Sequence, residues 1–266
     1  MRLVKGLLDR CLEALELLAA HPEWLRLSDI AQRLDLQAGP AHRLLANLVE
    51  QGWVEQQPTT ERYRLSLKLS LLGQQYLYGT GLPGLVQPVI DGVARQCKEL
   101  VRVTVVDGDR LRWFASSQGA APGLMYQPSM SGDIILHATA NGKAWLASQT
   151  DEQALQHAMR AGFAQDAATS PVGGPRVVRT VAALLETLQQ TRERGYGLAV
   201  EEAEPGVSAL AMVVRNASDQ VVGTMSIAGP CMRLSEDRYA ECQAQLAAAV
   251  QTLRMVWPRS EGLPSS

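Results

Sequence analysis

The stretch LSDIAQRLDLQAGPAHRLLANLVEQGW, residues 27–53, holds two helical runs parted by a break that includes Gly39 and Pro40. In the first run Ser28 precedes Asp29, Ile30, Ala31 and Leu34. The hydroxyl is placed to accept from free backbone N–H groups, and Asp29 suits the positive helix end, so the spacing predicts a helix over roughly 28–35. Pro40 has no N–H and a φ already fixed near the helical value, which fits the first turn of a further helix, where no intrahelical donor is needed. That helix is expected over roughly 39–51, stopping at Gly52. At about 100° per residue, Ala41, Leu44, Leu45, Leu48 and Val49 fall on one side, while Arg43, Ala46, Asn47 and Glu50 face away. One face packs and the other is free to read something.

The flanks extend this pattern. Leu7, Cys11, Leu12, Leu15 and Leu18 recur at helical spacing before His21-Pro22, predicting a first helix over roughly 3–20. After Gly52, WVEQ and RYRLS flank QPTTE and read as a short hairpin, with Arg62 and Arg64 on one side and Tyr63 and Leu65 on the other. Helix, helix, turn, helix, hairpin is the order of a winged helix-turn-helix, in which the third helix enters the DNA major groove and the second crosses the backbone. Arg43 and Asn47, one turn apart, suit base edges: guanidinium to guanine, amide to adenine. Ser28, Arg62, Arg64 and the flanking His42 suit phosphates, which set register without reading sequence. Residues 1–75 carry nine basic and nine acidic side chains, so specific binding should need a dimer.

The rest of the chain reads differently. LKLSLLGQQYLYG predicts a linker helix, and Gly79, Gly81, Pro83 and Gly84 then mark a domain boundary. We expect a DNA-binding domain over 1–66, a linker helix over 67–83, an effector domain over 84–257 and a disordered tail over 258–266. Within the effector domain a helix is expected from Leu85 to Leu100, followed by two strands about the Asp107-Gly108 turn, with GLMYQPSM as a third strand. Helices are expected near 139–148, 151–161 and 180–194, a second hairpin in ALAMVVRNASDQVVGTMSIAG, and a terminal helix from Ser235 to about Met255. Hairpins interspersed with helices argue for an α+β domain with an antiparallel sheet.

Composition excludes several classes. The 266 residues are 46% apolar with a formal charge of -2, so no global basic field announces a nucleic-acid partner and any such binding is local. Cys11, Cys97, Cys231 and Cys242 lie far apart without metal-like spacing to a histidine, so no metal, cofactor or disulfide is expected. No run approaches the roughly 20 apolar residues of a spanning helix. A cytoplasmic protein with no membrane partner is expected. MSIAG and SMSGD are not G-x-S-x-G, so His137 reads as a structural histidine rather than a catalytic one. Glu201-Glu202, adjacent on a strand or turn, point apart and read as structural or solvated.

On LSDIAQRLDL, HRLLANLVEQGWVE, RYRLSLKLSLLG, LHATANGKAWLA, RERGYGLAVEEAEPGVSALA and MSIAGPCMRLSEDR, the chain resembles the IclR family of bacterial transcriptional regulators over nearly its whole length. The resemblance implies an N-terminal DNA-binding domain, a linker helix, a GAF-like domain that binds a small organic effector, and dimers or tetramers on an operator. Where family members usually carry a Ser or Thr pair before the recognition-helix core, this chain has Gly39, Pro40 and Ala41, leaving backbone N–H groups and Gln37 to hold phosphate. Where the wing usually has a glycine, it has Glu61.

Carried over residue by residue, the family's effector pocket falls on Tyr126, Ile134, Ala140, Asn141, Ala199, Ala209, Ser226 and Ala228. Positions 199, 209 and 228, often Asp, Cys and Ser in the family, are alanine here. This implies a wider, less polar pocket for an aromatic or otherwise bulky carboxylic acid. The carboxylate is expected at the helix start near Asn141 and at Ser226, and the body against Tyr126, Ile134 and Trp113 or Met125. The competing readings are a closed alanine core in a ligand-free oligomeric DNA-binding repressor, and a hydrolase using His137.

Overall fold

The computed structural model of the chain describes residues 6–123, 125–128, 133–163 and 173–257. It divides into two compact units, 1–79 and 80–266.

The first unit contains α1 (Leu7–Ala20), α2 (Leu27–Arg33), α3 (Ala38–Glu50), the two-stranded wing β1 (Val54–Gln56) and β2 (Tyr63–Leu65), and α4 from Lys68 to the unit boundary at Thr80. Its core holds Ala14 and Leu18 of α1, Ile30, Leu34, Leu44, Leu45, Leu48, Val54 and Tyr63; of the face expected on α1, Leu18 is buried, Cys11 and Leu15 pack against the core, and Leu7 and Leu12 are exposed instead. Burying each large aliphatic side chain contributes about 1.5–3 kcal/mol, enough to overrule the short lengths of α2 and the wing strands. Ser28 does not cap α2. The cap position falls on Arg26, and Ser28 lies in the first turn with its hydroxyl on the Asp29 carboxylate at 3.2 Å.

The break between α2 and α3 is made earlier than Gly39. Asp35 takes φ +52, its N–H bonds to Gln32 O, and the Leu36 N–H reaches back to Ala31 O at 2.9 Å. This pair of bonds closes a Schellman cap, with an aspartate in the left-handed position that glycine usually fills. Gly52 (φ +72) ends α3 in the same way, through Gly52 N–H to Val49 O and Trp53 N–H to Leu48 O.

In the second unit, α5 (Leu82–Cys97) starts before the expected Leu85 because Pro83 fits its first turn, and it ends at Cys97, so that Leu100 opens a strand instead of closing the helix. β3 (Leu100–Asp107) and β4 (Arg110–Gln118) form the expected hairpin, with Gly108 and Asp109 as its two loop residues. After α6 (Ala140–Ala147), α7 (Asp151–Arg160) and α8 (Val181–Arg194) come β5 (Gly197–Val200), β6 (Val207–Arg215), β7 (Val221–Pro230) and α9 (Glu236–Val256).

The five strands form an antiparallel sheet in the order β4-β3-β7-β6-β5. Strand alternation sends Val101, Val103, Leu210, Val214, Met225 and Ile227 to one face under α5 and α9. The opposite face carries Ala199 and Ala211, and α6 lies on it through Ala140 and Ala144.

Two strand expectations are corrected. Met125–Pro128 is irregular: the Tyr126 carbonyl accepts from the Gln118 side chain rather than from a ladder, and Pro128 has no N–H to give. The remaining residues of that expected strand include 124, 129 and 130, which lie outside the described residues, as does the tail over 258–266. β5 escaped notice because it is four residues long, led by Gly197 and followed by two glutamates.

Candidate operator interface and effector site

On α3 the division of faces is the expected one. Ala41, Leu44, Leu45 and Leu48 are buried, whereas His42, Arg43, Ala46, Asn47 and Glu50 are exposed. Gln37 occupies the cap position without a side-chain cap bond, and Gly39 faces open space. The Ala38 and Gly39 N–H groups therefore have no capping side chain, and N–H groups at such a helix start suit a phosphate oxygen.

The wing is different. Arg64 donates from Nε and Nη2 to the one oxygen Oε2 of Glu55, both at 2.9 Å, and its guanidinium lies 4.4 Å from the Trp24 ring centroid. Arg62 is half-buried. Glu61 takes φ +54 in the wing turn, with its N–H on Gln57 O at 2.8 Å. A glycine meets no steric penalty at that angle, and glutamate does.

In the second unit the sheet face under α6 gathers most of the predicted effector positions. Tyr126, Ala140, Asn141, Ala199, Ala209 and Ala228 line one cavity, joined by Arg102, Thr139, Ala203 and Val207. The expectation of a wide pocket is overturned: the cavity is about 20 Å³, because Arg102 enters from β3 and Tyr126 closes over it. Ile134 is not part of it. That side chain packs with Leu136, Trp145 and Leu184 in a separate cluster. Ser226 sits next to the cavity, paired across the sheet with Arg102 and Ala211.

Asn141 lines the cavity, and its amide is also tied to the sheet. Its Nδ2 donates to Thr224 Oγ1 at 2.8 Å, and Thr224 Oγ1 shares a 2.6 Å bond with Thr104 Oγ1, a buried polar rivet that fastens α6 to the sheet. Thr139 caps α6, accepting from Gly142 N–H at 3.1 Å. Lys143, one of the most buried side chains of the unit, bonds both carboxylate oxygens of Glu202 and donates to Leu198 O at 3.1 Å. Burial pushes the Lys143 ammonium down and the Glu202 carboxyl up from their ordinary values, each opposed by the charge of the other. His137 is buried and tilted against Phe163 at 4.9 Å, in keeping with a packing role.

Arg102 is the residue that sequence reading missed. It was hidden as one charge within VRVTVV, although a strand covered on both faces leaves no solvent side for a guanidinium. A lone charge in such a run was the available signal.

A winged helix-turn-helix followed by an antiparallel α+β domain is the architecture of a DNA-binding regulator. Comparison with known proteins agrees. The family described as IclR helix-turn-helix domain matches residues 7–58, and that described as Bacterial transcriptional regulator IclR C-terminal matches residues 74–255. The chain belongs to the IclR family of bacterial transcriptional regulators; it is a DNA-binding transcriptional regulator and not an enzyme. It is 27% identical over 254 residues to the transcriptional repressor IclR of Escherichia coli, covering 94% of this chain and 89% of that one. It is 33% identical over 238 residues to a glycerol operon regulatory protein of Streptomyces griseus, covering 86% and 87%. Among solved structures, an IclR-type regulator from Alicyclobacillus acidocaldarius superposes with a TM-score of 0.80 at 20% identity, covering 95% and 98%. An IclR homologue from Microbacterium hydrocarbonoxydans complexed with 4-hydroxybenzoate superposes at 0.74 and 20%, covering 94% and 98%. Among the described residues no helix is long and apolar enough to cross a membrane.

Proposed function

We propose that this regulator binds its operator as a homodimer, or as a tetramer made of two such dimers, in the cytoplasm, and that a small organic acid held under α6 alters that binding. The observation that carries the DNA half is the exposed Arg43–Asn47 edge of α3 above a fully packed seam. Arg43 and Asn47 read base edges. Gln37 and the open N–H groups near Gly39 hold phosphate, with His42, Ser28 and Arg62 at the margins. Arg64 reaches phosphate only by leaving Glu55, so the wing adds little. The 4-hydroxybenzoate in the Microbacterium homologue supports an organic-acid effector.

The dimer half rests on apolar side chains that are exposed among the described residues. Leu7, Leu8 and Leu12 on α1 are exposed, as are Leu69, Leu71, Leu72, Tyr76 and Tyr78 on α4. Exposed apolar patches of this kind mark association surfaces. In sedimentation experiments, Leu8→Glu with Leu12→Glu is expected to shift the chain toward monomer and weaken operator binding at least tenfold, because one α3 alone reads half a site. An unchanged dimer with full affinity would remove α1 from the interface.

The regulatory reading is linkage: an acid that fits one arrangement of the dimer better than another shifts the population, and α4 carries the change to the spacing of the two recognition helices. Half-sites lie about 34–36 Å apart per helical turn, so a small rotation mismatches them. Footprinting of the purified chain on the DNA upstream of its own coding sequence, with and without a panel of carboxylates, tests this. A protected site that an acid abolishes or strengthens is expected. No protected site at low salt would overturn the operator reading.

A further inference from the structure

We propose that Arg102 is the anion anchor of the cavity under α6, taking the carboxylate of a small organic acid, and that Tyr126 is the latch which the acid displaces. This rests on the effector reading above and names the chemistry of its site.

Arg102 is 7% exposed and its Nε has no hydrogen-bond partner; Ser226 is 1% exposed and its Oγ has none either. The β3–β7 register sets the two directly opposite each other, so both side chains leave the same face of adjacent strands, beside the start of α6. Two unanswered buried donors side by side are costly, and a carboxylate answers both at once. The guanidinium plane lies 3.7 Å from the Trp113 ring centroid, which supports its face and leaves its N–H edge for a ligand.

Tyr126 now fills the place of that ligand. Its hydroxyl donates to the Glu204 carboxylate at 2.8 Å while the Arg102 guanidinium lies on its other side. Burial, with Glu204 adding to it, pushes the phenol up, so it stays a neutral donor. The uncharged hydroxyl is thus a bridge between a buried cation and an exposed anion, a weaker partner for Arg102 than a carboxylate would be. A cavity of about 20 Å³ holds one water, so no acid enters until Tyr126 leaves. Tyr126 lies in an irregular segment and Glu204 in an exposed turn, so the latch joins two loops and its opening breaks no strand or helix. Behind it the body of the acid meets Ala199, Ala209 and Ala228, which offer apolar contact and no second charge.

The test uses the full chain, titration calorimetry, and benzoate against benzamide, which has nearly the same shape without the charge, with acetate as the smallest carboxylate. Wild type is expected to bind benzoate at least about tenfold more tightly than benzamide. Arg102→Gln should bring benzoate down to the benzamide level in a chain whose circular dichroism and oligomeric state match wild type, and Arg102→Lys should restore part of the preference. Tyr126→Phe should tighten benzoate several-fold and speed its association, which a merely structural tyrosine would not do. The proposal is overturned if wild type binds neither acetate nor benzoate at about 10 mM, if it binds benzamide equally well, or if a folded Arg102→Gln or Arg102→Lys chain keeps the full preference. An acid that binds through Arg102 yet leaves operator affinity unchanged would instead overturn the effector reading and leave the anion site standing.

Discussion

Arg43→Ala is expected to weaken binding to the specific operator by about 30-fold to 10⁴-fold while hardly touching affinity for unrelated DNA. A good bidentate contact to a base edge discriminates by about 1–3 kcal/mol, and a twofold-symmetric dimer loses it at both half-sites, about 2–6 kcal/mol in all. The side chain is exposed and touches none of the packed seam formed by Leu44, Leu45 and Leu48, so the fold should be unaffected. Gln37→Ala gives the contrast: loss of a phosphate contact should weaken specific and nonspecific binding alike. Gel shifts on the operator and on a scrambled fragment, at one fixed salt concentration, measure both. Equal affinity and unchanged sequence preference in Arg43→Ala would show that α3 does not read bases through that edge.

The second large effect concerns stability. Glu202→Met leaves the Lys143 ammonium among apolar groups with Leu198 O as its remaining charge-assisted partner, and removal of one member of a buried pair costs about 3–5 kcal/mol. At about 2–4 °C per kcal/mol for a unit of this size, melting should fall by roughly 10 °C. Replacing both residues with methionine should recover much of that loss, because the desolvation of two charges disappears together with their attraction. Differential scanning calorimetry of the two variants decides it: a double variant as unstable as the single one would mean that the pair contributes more than it costs to bury.

The first unit was legible in the sequence because periodicity alone specifies it. The apolar seam of α3, its exposed Arg43 and Asn47, and the wing strands follow from spacings of 3.6 and 2 residues. What escaped were local backbone solutions. The Asp35 turn uses an aspartate where glycine is the usual sign, and Arg26 takes the cap position because Leu27 packs inward, which draws Ser28 into the helix.

The effector site was half legible. Tyr126, Ala140, Ala199, Ala209 and Ala228 do converge. Arg102, Ser226 and Asn141 took roles that depend on cross-strand register: which residues of β3 and β7 lie opposite each other is set by contacts more than 100 positions apart, such as Thr104 with Thr224. Lys143 and Glu202 were missed as a pair for the same reason, since only the packing of α6 on β5 brings them together.

The close seating of α6 constrains how the cavity beneath it can change in size. A methyl group at Gly197 would lie 2.3 Å from the Ala140 carbonyl oxygen, and one at Gly142 would lie 2.2 Å from the Leu136 carbonyl oxygen. A side chain at Gly197 would therefore push α6 away from β5, and one at Gly142 would push it away from the segment that leads into it. For the acid proposed above, the room left to vary lies on the other side, where single carbons added at Ala199, Ala209 and Ala228 would shorten the space it could take.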